Sequence, residues 1–235
     1  RSESSRWLEP LLRRGEGAAT DQGSPAETPR VGGGASPSYG PAAATVALQQ
    51  VGQTLTFNGA IEGEPCDLGA PRTGLVRRVT QRAIIVEDTA NPAGGFTEED
   101  YAAFGDFFDH EVWPLVTSTF GTPSDIDGNG RVIIFFTVAV NDLPGNSNLP
   151  GNTNSFIGGF FYNRDLFSTS SCAGSNRAEM FYLMVPDPLG ESEPGGRRAF
   201  SADFVRQRIP TLLVHEFQHL VNDSRRLHIN RSSVW

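Results

Sequence analysis

Near its C-terminal end the chain reads "LLVHEFQHLVND", with His215, Glu216 and His219 in the order H-E-x-x-H. Residues four apart in an α-helix stand one above the other on one face, so both imidazoles can address a single metal ion. Glu216 lies one step round the helix, within reach of a water on that ion but not of the ion itself. Two nitrogen ligands and a carboxylate base are the parts that metal-assisted hydrolysis of a peptide bond requires, and zinc is the metal that suits them. Zinc supplies an acidified water. Glu216 is the group placed to take its proton and hand it to the departing amine.

A catalytic zinc needs a third protein ligand, and here the sequence is less generous. The longer pattern H-E-x-x-H-x-x-G-x-x-H fails, because Asn222 and Arg225 stand at its Gly and His positions. His228 lies on the same segment but requires the helix to end and fold back. Asp223 is the one carboxylate after His219, and its side chain is short. No Glu follows His219, and the chain stops at Trp235.

The helix that carries the motif must be buried on its other sides, and Leu213, Val214, Phe217, Leu220 and Val221 supply the apolar surface. Ahead of it, "QTLTFNG", "RAIIVED" at 82–88, "RVIIFFTVAV" at 131–140, "SFIGGFFYN" and "AEMFYLMVP" read as strands. The run at 131–140 is apolar on both parities, which predicts a central strand covered on both faces. Thr97 and Asp100 form a capping-box pattern at the start of a helix whose buried face is Tyr101, Phe104, Phe108 and Val112. Pro114 is expected to kink or end that helix. Strands first and a long apolar helix last give an α+β class. Residues 1–45, rich in Gly, Pro, Ala, Ser and Thr, read as a disordered leader or linker, and 46–235 as the folded domain.

A net charge of -8 and a pI near 5.0 argue against a nucleic-acid partner. The longest apolar run is too short for a membrane helix, which takes about 20 residues, so no membrane insertion is expected. "DIDGNGR" at 125–131 matches the first half of a calcium loop. Asp125, Asp127 and Asn129 stand at positions one, three and five, and the Arg131 carbonyl at seven. Position twelve, normally a bidentate Glu, is Phe136, and the alternative is an Asx-rich turn that launches a strand. Cys66 and Cys172 fit no C-x-x-C pattern and are either two buried thiols or one disulfide of an oxidising compartment. His110, among the carboxylates of "DFFDHE", reads as part of a solvated helix face. Glu179 of "SNRAE" reads as a loop cap, and Asn176 has no assigned role.

Five blocks in order, "TQRAIIVED", "FFDHEVWPLVTSTFGTPSDIDGNGRVIIFFT", "GGFFYNRDLF", "SNRAEMFYLMVPDP" and "LLVHEFQHLVNDSRR", resemble the bacterial hyicolysin-type neutral metallopeptidases across roughly residues 72–235. The resemblance implies a secreted zincin of the two-His, one-Glu kind that cleaves polypeptides. His215 and His219 would be its zinc ligands and Glu216 its base. In that family a segment like Trp-Leu-Asn-Glu-Gly follows and supplies the third ligand. Trp235 aligns with its Trp, so the expectation is a domain truncated before that Glu, with its C-terminal subdomain missing. The alternative is a non-catalytic extracellular binding or structural domain, possibly steadied by calcium.

Overall fold

The computed structural model describes residues 49–59, 66–149, 155–191 and 193–230, so the leader expected at 1–45 lies outside the described residues. Six strands form one sheet: β1 (Thr54–Asn58), β2 (Pro71–Val79), β3 (Ala83–Asp88), β4 (Val132–Phe136), β5 (Gly159–Phe161) and β6 (Met180–Leu183). Their order is β1-β2-β3-β4-β6-β5. β1, β2 and β3 form an antiparallel meander, β3, β4 and β6 are parallel, and β5 runs antiparallel along the far edge. Strands buried on both faces need no polar alternation, and every residue of β4 and β6 is buried.

The apolar run at 131–140 is not one strand. β4 stops at Phe136, and Thr137 turns the chain into a short helix α3 (Val138–Asn141) by accepting the Ala139 N–H on Oγ1 at 3.2 Å. The Thr137 hydroxyl also donates to the buried Asp88 carboxylate at 2.6 Å. Strand and helix are both fully covered here, so both read as apolar. β2, with its three arginines, had no apolar alternation to announce it. Arg72 pairs with Asp88 at 2.7 Å and Arg77 with Glu87 at 2.7 Å, and these pairs tie β2 to β3.

Between β3 and β4 the chain crosses the sheet as α1 (Glu98–Phe107), a π-helical turn (Phe108–Val112) and α2 (Trp113–Phe120). The capping box at Thr97 forms as read: Asp100 N–H donates to Thr97 Oγ1 at 3.2 Å, and Thr97 N–H to Asp100 Oδ2 at 3.0 Å. Tyr101, Phe104, Phe108 and Val112 are all buried. Pro114 neither ends nor breaks the helical path. The π turn, in which the Trp113 N–H reaches back to the Phe108 carbonyl, shifts the hydrogen-bond register, and Pro114 falls in the first turn of a new helix where no N–H is needed.

After β6 come α4 (Ala202–Arg206) and the long helix α5 (Ile209–Ser224). α5 buries Ile209, Leu213, Glu216, Phe217, Leu220, Val221 and Ser224. Phe217 anchors it, with ring centroids 4.9 Å from Phe108 and 5.3 Å from Trp113. Full burial of such a ring stabilises by about 1.5–3 kcal/mol. The π turn and α2 therefore act as the bed on which the motif helix is seated. The described domain is α+β.

Candidate active site

The sequence of α5 leaves one stripe facing solvent, and His215 and His219 lie on it, both exposed. Their Nε2 atoms are 3.2 Å apart. Two nitrogens bound to one tetrahedral zinc at 2.0–2.1 Å would be separated by about 3.3 Å, so the spacing of the pair matches that of two ligands on one such ion. Partial burial, with a smaller contribution from His219, holds the His215 imidazole below its ordinary pKa and keeps it in the neutral form that ligates metal.

Glu216, about 100° further round the helix, is 4% exposed and lies against β5. Burial pushes its carboxyl up to about 8, and the Phe161 backbone N–H, which donates to it, pulls weakly in the opposite direction. A cation at the two imidazoles would favour the charged form. The approach of Glu216 to the edge strand depends on two glycines. A Cβ on Gly159 would lie 3.3 Å from Glu216 Cγ and 2.6 Å from Leu183 Cδ2, and one on Gly158 would lie 2.7 Å from Leu212 Cδ2. The pair "GG" in "SFIGGFF" thus lets α5 and β5 meet backbone to side chain. Of the expected strand over 155–163, only Gly159–Phe161 pairs with β6.

Neither nearby candidate for a third ligand joins the histidines. His228 sits in a π-helical turn (Arg225–Asn230) with Nε2 2.9 Å from the Leu166 carbonyl. Asp223 pairs with Arg226 at 3.6 Å. Among the described residues, the one group of three or more acidic, His or Cys side chains that comes together is Asp125, Asp127 and Glu179, with ligand atoms within 4.8 Å of one another.

That group takes Asp125 and Asp127 from the expected calcium loop and adds Glu179 to them. Asn129 turns inward to the loop: its Oδ1 accepts the Arg131 N–H at 2.7 Å and its Nδ2 donates to Asp127 at 2.6 Å. Phe136 is buried in β4, and the third carboxylate comes instead from Glu179, just ahead of β6. Glu179 caps the loop, as expected, by accepting from Ser124 Oγ at 2.6 Å and from the Ile126 N–H at 3.0 Å. Burial, reinforced by Glu179 and Asp125, raises Asp127 to about 7. The Ser224 hydroxyl at the end of α5 accepts the Ser124 N–H at 3.2 Å, so this loop is tethered to the motif helix.

Two polar features were not legible beforehand. Asp109 of "DFFDHE" is no solvated side chain: it caps the β2–β3 turn by accepting from Thr80 Oγ1, Gln81 N–H and Arg82 N–H at 2.8, 2.8 and 3.0 Å. His110 beside it is exposed and bonds the Asp106 carbonyl at 2.8 Å. Asn176 belongs to a buried network, donating through Nδ2 to Asp165 at 3.0 Å and accepting the Asn58 N–H on Oδ1 at 2.7 Å. Cys66 and Cys172 form a disulfide beside it.

No family model matches the chain. A relative does. Over 131 residues, 56% of this chain, it is 30% identical to the neutral metalloprotease ShpI of Staphylococcus hyicus. The matched stretch is 26% of that relative, so the chain spans about a quarter of its length. The chain is thus related to a metalloprotease over somewhat more than half of its residues.

Proposed function

We propose that this domain is the motif-bearing part of a zincin-type zinc endopeptidase that acts outside the cell on polypeptides. The observation that carries the reading is the 3.2 Å convergence of His215 and His219 Nε2 on the exposed stripe of α5, with Glu216 one step round. The metalloprotease relative supports it. Neither His228 nor Asp223 lies with the two imidazoles, and the resemblance to the hyicolysin-type peptidases implies a Glu as third zinc ligand. Bound zinc would polarise the scissile carbonyl and acidify a water. Glu216 then acts as the base, held in place by the Phe161 N–H. β5, the sheet's edge and Glu216's neighbour, offers an extended peptide a strand to pair with. The Cys66–Cys172 disulfide supports an oxidising, extracellular setting, and no described helix is long and apolar enough to cross a membrane.

A zinc titration of the protein against a competing chelator tests the site. One zinc per chain is expected, with affinity weakened by His219→Ala. Equal affinity in parent and variant would sink the reading. Calcium at Asp125, Asp127 and Glu179 is a separate proposal, supported by the three gathered carboxylates. Added calcium is expected to raise the melting temperature of the parent but not of Asp127→Asn, and an equal response of both would reject it.

A further inference from the structure

We infer that the solvent face of α5 two turns ahead of the histidines is a subsite for a carboxylate carried by the peptide substrate, with Arg208 as its cation. The proposal rests on the peptidase assignment above. The exposed stripe that carries His215 and His219 begins with Thr211 and, just before the helix, the half-buried Arg208. Seven residues bring a helix within 20° of two full turns, so the Arg208 backbone falls on the side of His215, about 10.5 Å along the axis, and its guanidinium reaches further back towards Phe204. A peptide extended at about 3.3 Å per residue covers that distance in about three residues.

Arg208 differs from its neighbour Arg206, which pairs with Asp100 at 2.7 Å and also with Asp203. Among the described residues no carboxylate pairs with Arg208, and burial alone lowers its pKa. Its guanidinium is nevertheless held in place. Nη1 donates to the Phe204 carbonyl at 2.8 Å, and the group lies 3.4 Å from the Phe204 ring centroid and 5.4 Å from that of Phe156. Phe156 packs on Phe204 at 5.4 Å and on Phe200 at 6.2 Å. A second arginine borders the same cluster: Arg198 lies over Phe200 at 4.7 Å and donates to the Ser155 carbonyl at 2.9 Å. A guanidinium has five donor hydrogens in a planar fork, and its contact with the Phe204 carbonyl engages only one edge of it. A partly desolvated cation fixed on aromatic faces, in a chain of net charge -8, is built to receive an anion.

Phe156 lies three residues ahead of β5. A peptide that pairs antiparallel with β5 therefore lays its C-terminal side over Phe156 and Arg208. The carboxylate belongs about three residues after the scissile bond, as an acidic side chain or as the chain terminus itself.

Fluorescence anisotropy on zinc-loaded Glu216→Gln protein tests this without turnover. Three labelled peptides of one sequence are compared: Glu at the third position after the intended bond with an amidated end, Gln there with a free carboxyl end at that residue, and Gln with an amidated end. One or both carboxylate peptides are expected to bind at least about tenfold tighter than the neutral one, and which of them does identifies the source. That preference should fall towards one in Arg208→Gln, survive in part in Arg208→Lys, and shrink as salt is raised. Should Arg208→Gln fail to fold, Arg208→Lys and the salt series carry the comparison. Equal binding of all three peptides, or a preference untouched in the Arg208 variants, overturns the subsite while leaving the peptidase reading intact. Failure to bind any peptide overturns both.

Discussion

Replacing Glu216 with Gln should slow peptide hydrolysis by roughly a hundred- to ten-thousandfold, the range that positioned acid–base groups contribute, while leaving zinc affinity and the fold in place. The expectation follows from what the substitution keeps. The amide side chain has the shape of the carboxylate it replaces, and its oxygen can still accept the Phe161 N–H that now reaches Glu216. The buried neighbours on α5, Leu213 and Phe217, are untouched, and the two imidazoles lie on the exposed stripe one step round the helix. What is lost is the ability to hold a proton in transit. Stability should not fall, because a carboxyl that burial pushes to about 8 is replaced by a group that never ionises. Hydrolysis of an unstructured labelled polypeptide, zinc affinity and thermal unfolding would be measured side by side. Parent-like hydrolysis by the variant would place the base elsewhere. Zinc binding by both proteins without hydrolysis by either would favour the binding-domain alternative.

The motif was legible because its chemistry is local: spacing within one helix sets the two nitrogens side by side, and nothing else in the fold is needed to see it. The same holds for the Thr97 capping box and for the buried strands β3, β4 and β6. The setting of the motif was not legible. That Glu216 faces the edge strand depends on Gly158 and Gly159, far earlier in the chain, whose missing side chains matter only once β5 and α5 are packed together. β2 was missed because its arginines are matched by Asp88 and Glu87 across the sheet, a compensation invisible within the strand itself. The calcium pattern named ligands only from 125–131, because a linear motif counts only along its own loop. The third carboxylate, Glu179, arrives from a different strand junction.

Asp165→Ala should destabilise the domain by about 3–5 kcal/mol, the usual cost of stripping the partner from a buried charge. Asp165 is 0% exposed and Arg164 1%, in the short 3-10 turn that follows β5 (Asn163–Leu166). The Arg164 Nε is 3.5 Å from Asp165 Oδ1, an ion pair too long for a hydrogen bond. The stronger bonds to Asp165 come from Tyr182 Oη at 2.6 Å and from the Asn176 N–H at 2.9 Å. Burial raises the carboxyl's pKa and those donors hold it back. Truncation removes all of them at once, leaving a buried hydroxyl, a half-buried amide and a buried guanidinium without their carboxylate. The guanidinium keeps the Tyr162 ring, 4.3 Å away, and a 3.3 Å contact to the Asn58 carbonyl, but no carboxylate among the described residues. Asp165→Asn keeps the volume and one acceptor oxygen, so it should cost less. Urea unfolding of both variants at fixed zinc measures the difference through the midpoint at constant slope. A loss below about 1 kcal/mol in Asp165→Ala, the level of an exposed ion pair, would show that water reaches Arg164. Because Tyr182 also stacks on Phe160 of β5 at 4.7 Å, a large loss should come with weaker protection of the β5 amides from hydrogen exchange, tying this network to the strand that borders Glu216.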